Sequence, residues 1–367
     1  MADPAPIHGG DVLAAAARWG LDPSEILDFS ANINPFGPPR GVTKAARDAL
    51  RSVARYPEPL ARTLRAALAL RHGVPEEAVL VGSGAAEVIH LLARLAAGRR
   101  VAVPVPGFAE YARAARAVGA VVVPTPVGGA FATIPAAETG GAAPAEPTPA
   151  LEAGDLRFLC NPHNPTGRLL PPGDILRVAD GTPATVVVDE AFIDLTDPGE
   201  DASVLRHVME RPNLVAVRSL TKFFAMPGLR VGYAVARPDL VSRLDAVRDP
   251  WSVSAPAQAA ALAALADQAY ARRTREWVRR ERSYLAGELA GLPGFAIEPP
   301  SANFILVRAP EPVWSIQNRL GPRGILVRDC RSFDGLTERH MRVAVRSRAE
   351  NRRLAEALSS SGTRSAP

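Results

Sequence analysis

Short apolar runs, each closed by polar or turn-forming residues, recur along the chain with amphipathic stretches between them. Val79–Val81, Arg100–Val105, Leu156–Cys160, Thr185–Asp189 and Asn213–Val217 are runs of this kind, rich in valine. Continuous apolar runs bounded by turn signals fit strands buried on both faces. Helical spacing covers Val12–Trp19, Thr43–Val53, the stretch from Gly84 to about Ala96, and a long run from Gln258 to Leu289. Strands alternating with helices predict an α/β large domain with a mostly parallel central sheet. Beyond residue 260 the order changes. The long helix leads into strands at Phe295–Ile297, Asn303–Val307 and Gly324–Val327, and then into an alternating strand that begins at Arg342. The expected division is an N-terminal arm and part of the small domain over 1–42, a large domain over 43–260 and the rest of a smaller α+β domain, built from both termini, over 261–367. Residues 124–155 are rich in Pro, Gly, Ala and Thr without a period, and read as a surface connection with no function of its own.

Composition narrows the picture without changing it. A length of 367 residues suits about two domains at roughly 150 residues each. A hydrophobic content of 47% is ordinary for a protein with a real core. No apolar run approaches the ~20 residues of a membrane span. Met1–Gly10 has neither a basic nor an apolar leader region, so the cytoplasm is the expected compartment. Cys160 and Cys330 are too few for a disulfide framework, and no metal-ligand pattern is present, so no metal is expected. The net charge of +5 is scattered. Its densest run, Arg272–Arg282, is interrupted by Glu276 and Glu281 at helical spacing and reads as a solvated helix face. No nucleic-acid partner is therefore expected.

Lys44 and Lys222 are the only lysines among 43 basic residues. Arginine stays protonated and cannot form an imine, whereas a desolvated lysine can. Lys222 follows an apolar strand, with Ser219 three residues before it and Arg230 eight after, a hydroxyl and a guanidinium suited to one phosphate. Val79–Glu87 is a strand, a Gly-rich turn and a helix start. The backbone N–H groups of Gly84, Ala85 and Ala86 are the candidate anion contacts there. The order G-x-G-x-x lacks the third glycine of a dinucleotide fingerprint. Phe108, just after a strand, is placed to stack on a flat heterocycle. Asn161–Gly167 holds two Asn-Pro steps in a tight loop. Asp189 and Glu190 end an apolar strand, where unpaired carboxylates are costly.

The segment S-L-T-K-x-x-A-M-x-G-x-R-V-G resembles the lysine signature of pyridoxal-phosphate enzymes of the aspartate aminotransferase fold, fold type I. N-P-T-G at 164–167 and R-V-A-V-R-x-x-x-E-N from Arg342 are similar to further pieces of that family. The string from His8-Gly9-Gly10 to I-L-D-F-S-A-N-I-N-P-F-G-P-P resembles the start of the threonine-phosphate decarboxylases of cobalamin synthesis, and histidinol-phosphate aminotransferases show a looser version. The resemblance spans essentially the whole chain. It implies pyridoxal 5′-phosphate carried on Lys222, with Asp189 at the ring nitrogen and Asn164 at the phenolic oxygen. It implies a phosphate site at Ser219, Arg230 and residues 84–86, completed by Tyr56 of a second subunit in a homodimer with shared sites. It implies a small phosphorylated amino-acid substrate met by His8, Asn32, Asn164, Arg328 and Arg342. Phe192 stands where many relatives carry tyrosine, so that second contact to the phenolic oxygen is not expected. The implied reaction is decarboxylation of L-threonine O-3-phosphate to (R)-1-aminopropan-2-yl phosphate. The alternatives are a class I/II aminotransferase such as histidinol-phosphate aminotransferase, or a binding module that kept the fold.

Overall fold

The computed structural model describes residues 9–127 and 150–359. Its strands are β1 (Leu27–Asp28), β2 (Val79–Gly82), β3 (Arg100–Val105), β4 (Val121–Pro126), β5 (Leu156–Cys160), β6 (Thr185–Asp189), β7 (Leu214–Ser219), β8 (Gly232–Val235), β9 (Ala296–Ile297), β10 (Phe304–Arg308), β11 (Ile325–Leu326), β12 (Arg328–Asp329) and β13 (His340–Ala344). Seven of them form one sheet in the order β2-β8-β7-β6-β5-β3-β4. Strands β3 to β7 run parallel, and β8 is inserted antiparallel between β7 and β2. This is the α/β architecture with a mostly parallel sheet that the apolar runs imply.

The runs are continuous because both faces of the sheet are covered. Val186 and Val188 enter one core with Leu214 and Ala216, while Val187 enters the other with Val215 and Val217. The two-residue period of the strand distributes them. Each fully buried valine contributes about 1.5–3 kcal/mol relative to exposure. A second sheet, β12-β13-β10-β9, is antiparallel. The early strand β1 pairs in parallel with the late strand β11, Leu27 opposite Ile325, so residues before and after the large sheet are joined.

Several expectations are corrected. The run from Gln258 to Leu289 is two helices, Ala255–Ala266 and Gln268–Ala290, broken at Asp267. The Asp267 side chain accepts from the Tyr270 N–H and caps the second helix. A capping aspartate within an amphipathic pattern reads like any solvent-facing position, which hides the break. The helix expected over Thr43–Val53 spans Arg40–Ala49, followed by a 3-10 turn over Leu50–Ser52. Residues 124–126 belong to β4, which pairs with β3 along its length. As the last strand of the sheet it is largely exposed, which blurs its period. Residues 128–149 of the same Pro/Ala-rich segment lie outside the described residues. Ser219 ends β7, and Lys222 stands in a four-residue helical turn, Leu220–Phe223. No helix among the described residues is long and apolar enough to cross a membrane.

Beside Asp189 and Ser219 lies a buried ion pair. Arg218 Nε donates to Glu190 Oε2 at 2.8 Å, and Ser203 Oγ and the Val204 N–H also donate to Glu190. Both charged side chains are essentially without solvent exposure. Removing one member of such a pair strands the other charge. Arg218→Met is expected to lose about 3–5 kcal/mol of unfolding free energy in urea titration, and a loss below 1 kcal/mol would contradict this account of the pair.

Candidate active site

Two antiparallel steps turn β2 back to the direction of β7, so β2, β3, β5, β6 and β7 all end on the same side of the sheet. Open α/β sheets bind ligands beyond the carboxyl ends of their strands. A cavity of about 230 Å³ is found there. Ala85 and Ala86 reach it after β2, Phe108 after β3 and Asn164 after β5, with Asp189 at the end of β6. Ser219, Lys222 and Arg230 reach it after β7. Asn32, Arg328 and Arg342 close it from the β1 and β12–β13 side.

Lys222 Nζ makes no hydrogen bond or ion pair among the described residues. Its amine is lowered from the ordinary 10.5 to about 8, chiefly by burial and then by the neighbouring charges of Arg342 and Arg230, with Asp189 and Asp28 pulling the other way. Asp189 is buried. Its Oδ2 accepts from the Tyr111 hydroxyl at 2.7 Å and its Oδ1 from the Ala191 N–H at 2.9 Å. Burial raises the carboxyl, while Tyr111, the Ala191 N–H and Lys222 oppose that rise. Glu190 points away to Arg218, so the two acids of the sequence serve separate places.

The Ala85–Ala86 corner combines several polar features. The helix Gly84–Ala93 begins without a side-chain cap, and Ala85 and Ala86 of its first turn are on the cavity wall. Ser219 Oγ lies 2.7 Å from Thr221 Oγ1, and both residues line the cavity. Gly84 itself does not line the cavity but supports it. Its φ is +82°, and a Cβ there would lie 2.3 Å from Arg230 Nη2. A Cβ on Gly232 would lie 2.3 Å from the Ala85 nitrogen. These two glycines let the guanidinium and strand β8 approach the helix start.

Asn164 is buried, and its Oδ1 accepts from Arg342 Nη1 at 2.5 Å, which leaves the amide N–H groups as its donors. His163, lowered to about 4 by burial, is neutral and braces the loop through Thr166 Oγ1 at 2.8 Å and the Pro106 carbonyl at 2.9 Å. Phe108 is half-buried at the cavity wall and meets Tyr111 edge-on.

Arg328 and Arg342 are directly opposite in the β12–β13 register, and both are buried. Like charges facing each other across a strand pair are destabilising. Arg342 Nη2 donates to the Ser30 carbonyl at 3.0 Å, and Arg328 Nη2 to Ser332 Oγ at 2.7 Å. No carboxylate among the described residues pairs with Arg342. Asn32 is 2% exposed, and neither of its side-chain polar atoms has a partner. Gly9, at the start of the described chain, lines the same cavity, while His8 lies outside the described residues. Tyr56 does not reach this cavity. It is 81% exposed and stacks on Trp251 at 4.8 Å. Reading the residues in order missed Tyr111, Thr221 and Ser30. Only Tyr111 had a local signal, its place one helical turn beyond Phe108.

The family described as aminotransferase class I and II matches residues 24–358. This chain belongs to that family. It is 38% identical over 356 residues to the threonine-phosphate decarboxylase of Salmonella typhimurium, covering 96% of this chain and 95% of that protein. It is 39% identical over 338 residues to the histidinol-phosphate aminotransferase of Symbiobacterium thermophilum, covering 91% and 90%. Among solved structures, the L-threonine-O-3-phosphate decarboxylase of Porphyromonas gingivalis superposes with a TM-score of 0.79 at 30% identity, covering 90% of this chain and 98% of that one. The cofactor is pyridoxal 5′-phosphate. The cavity fits it. An amine without a partner, a buried acid, a helix start with no side-chain cap and the Asn164 amide N–H groups supply the donor and acceptor set that the group needs.

The lowered amine gives a signed pH dependence. Above about pH 8 Lys222 is neutral and nucleophilic, and below it the amine is protonated. Stopped-flow capture of added cofactor by the apoprotein should therefore accelerate with a midpoint near pH 8, and Lys222→Ala should abolish it. A midpoint near 10.5, the value of an ordinary lysine, would contradict this environment.

Proposed function

We propose that the protein decarboxylates L-threonine O-3-phosphate to (R)-1-aminopropan-2-yl phosphate and CO2. The observation that carries this reading is the facing pair Arg328 and Arg342, buried with the unpartnered amide of Asn32 in the cavity that holds Lys222. Two guanidinium groups match a substrate with a phosphate and a carboxylate, since guanidinium forks bind both. The identity to the Salmonella decarboxylase over nearly the full chain supports it.

On this reading Lys222 holds the cofactor and Asp189 accepts from its ring nitrogen. Asn164 donates to its phenolic oxygen and Phe108 packs on its face. Ser219, Arg230 and the N–H groups of Ala85 and Ala86 take its phosphate. Bound there, pyridoxal phosphate supplies an electron-accepting ring that stabilises charge at the substrate α-carbon. Arg342 and Arg328, with Asn32, orient the substrate so that the bond to its carboxylate is the one that breaks. The electron pair stays on the α-carbon, and a proton from Lys222 Nζ replaces the carboxylate. Tyr56 completes the phosphate site of a second subunit, which makes the working unit a homodimer. Its exposure and its place away from its own chain's cavity support that role. The expected location is the cytoplasm.

The second reading is transfer of an amino group to or from histidinol phosphate, favoured by the 39% identity to the Symbiobacterium enzyme. The two differ in one requirement. Incubation with threonine phosphate should release CO2 with no keto acid present. Turnover that depends on 2-oxoglutarate, with no CO2 formed, would overturn decarboxylation and select the aminotransferase.

A further inference from the structure

We infer that Tyr111 is a positioning residue, whose hydroxyl holds Asp189 as an ionised acceptor and so keeps the shared proton on the cofactor's ring nitrogen. The inference rests on the proposed role of Asp189. Tyr111 is 1% exposed, and its hydroxyl lies 2.7 Å from Asp189 Oδ2. Its ring stacks on Phe158 at 4.8 Å and 14°, and meets Phe108 edge-on at 5.6 Å and 84°. Phe158 belongs to β5, the strand beside β6, so the ring is fixed by the same sheet that carries Asp189. Phe108 caps the helix that carries Tyr111, so one helix start delivers both the candidate ring-packing face and the support for the acid.

The direction of the hydrogen bond is set by chemistry. An ionised carboxylate only accepts. Burial raises the Tyr111 phenol well above its ordinary value, so it stays protonated and donates. Each donor to a carboxylate lowers its affinity for a proton. With the Tyr111 hydroxyl and the Ala191 N–H both donating, Asp189 competes weakly for the proton between it and the ring nitrogen. Without the hydroxyl, desolvation is opposed by the Ala191 N–H and by charge alone. The other titratable groups facing Asp189 are Lys222, from the turn after β7, and Cys160, at the end of β5. Burial pushes the Cys160 thiol up to about 12, so it carries no charge there.

Tyr111→Phe removes the hydroxyl and keeps the ring with its stacking. In this variant the dissociation constant of pyridoxal phosphate should rise about ten- to hundredfold, the range for a hydrogen bond to a charged group. The 15N resonance of ring-labelled cofactor should report a smaller protonated fraction at neutral pH than in the unmodified protein, because the shared proton moves to Asp189. In the apoprotein, the 13C-labelled Asp189 carboxyl should titrate at a higher pH. A dissociation constant within twofold together with unchanged 15N and 13C titrations would overturn the inference. Asp189→Asn separates the two claims. If it leaves the 15N titration as in the unmodified protein, the assignment of Asp189 fails and that of Tyr111 with it. If it removes the ring proton while Tyr111→Phe changes nothing, only the assignment of Tyr111 fails.

Discussion

A lysine amine partly shielded from water, with the guanidinium groups of Arg342 and Arg230 nearby, is the constraint on which this site depends. An ammonium in that position would lose its hydration and face the positive charges of Arg342 and Arg230, so the neutral, nucleophilic form is populated near pH 8. The same guanidinium groups are useful only if anions eventually meet them. A cofactor phosphate at Arg230 and a substrate carboxylate at Arg342 would each complete the local charge balance. On the proposed reading the cationic side chains would meet three anionic groups, the cofactor phosphate and the phosphate and carboxylate of the substrate.

The period of the strands sorts the remaining charges. Asp189 and Glu190 are neighbours in the chain but point to opposite faces, one to the cavity and one to Arg218. Arg218 and Ser219 divide in the same way one strand over. The buried pair therefore joins the ends of β6 and β7 at the point where both deliver site residues. Close backbone approach does the rest. Gly84 and Gly232 leave room for Arg230 and for the first N–H groups of a helix.

Much of this was legible from the residues alone, because it depends on local order. The parallel strands read as valine-rich runs, and the groups that follow them line one cavity. What was hidden depends on contacts distant in sequence. Tyr111 meets Asp189 across 78 residues, and Arg342 meets Asn164 across 178. Neither contact leaves a mark on the spacing of its own segment. The facing of Arg328 and Arg342 follows from a strand register that the sequence does not display. Helix boundaries failed for a different reason. Asp267 both ends one helix and caps the next, and an acidic residue inside an amphipathic pattern carries no sign of that double use. Tyr56 lies on the surface, stacked on Trp251 and away from the cavity, which its place in the sequence did not reveal.

The central claim is that the amine at position 222 forms the covalent link to the cofactor. The chain offers an internal comparison, since the only other lysine, Lys44, is exposed and paired with Asp48 at 2.7 Å. Purified protein saturated with pyridoxal phosphate should be reduced with borohydride, digested and mapped by mass spectrometry. The account requires one pyridoxyl group per chain on the Lys222 peptide and none on Lys44. Label confined to Lys44, or absent from both peptides, would contradict it.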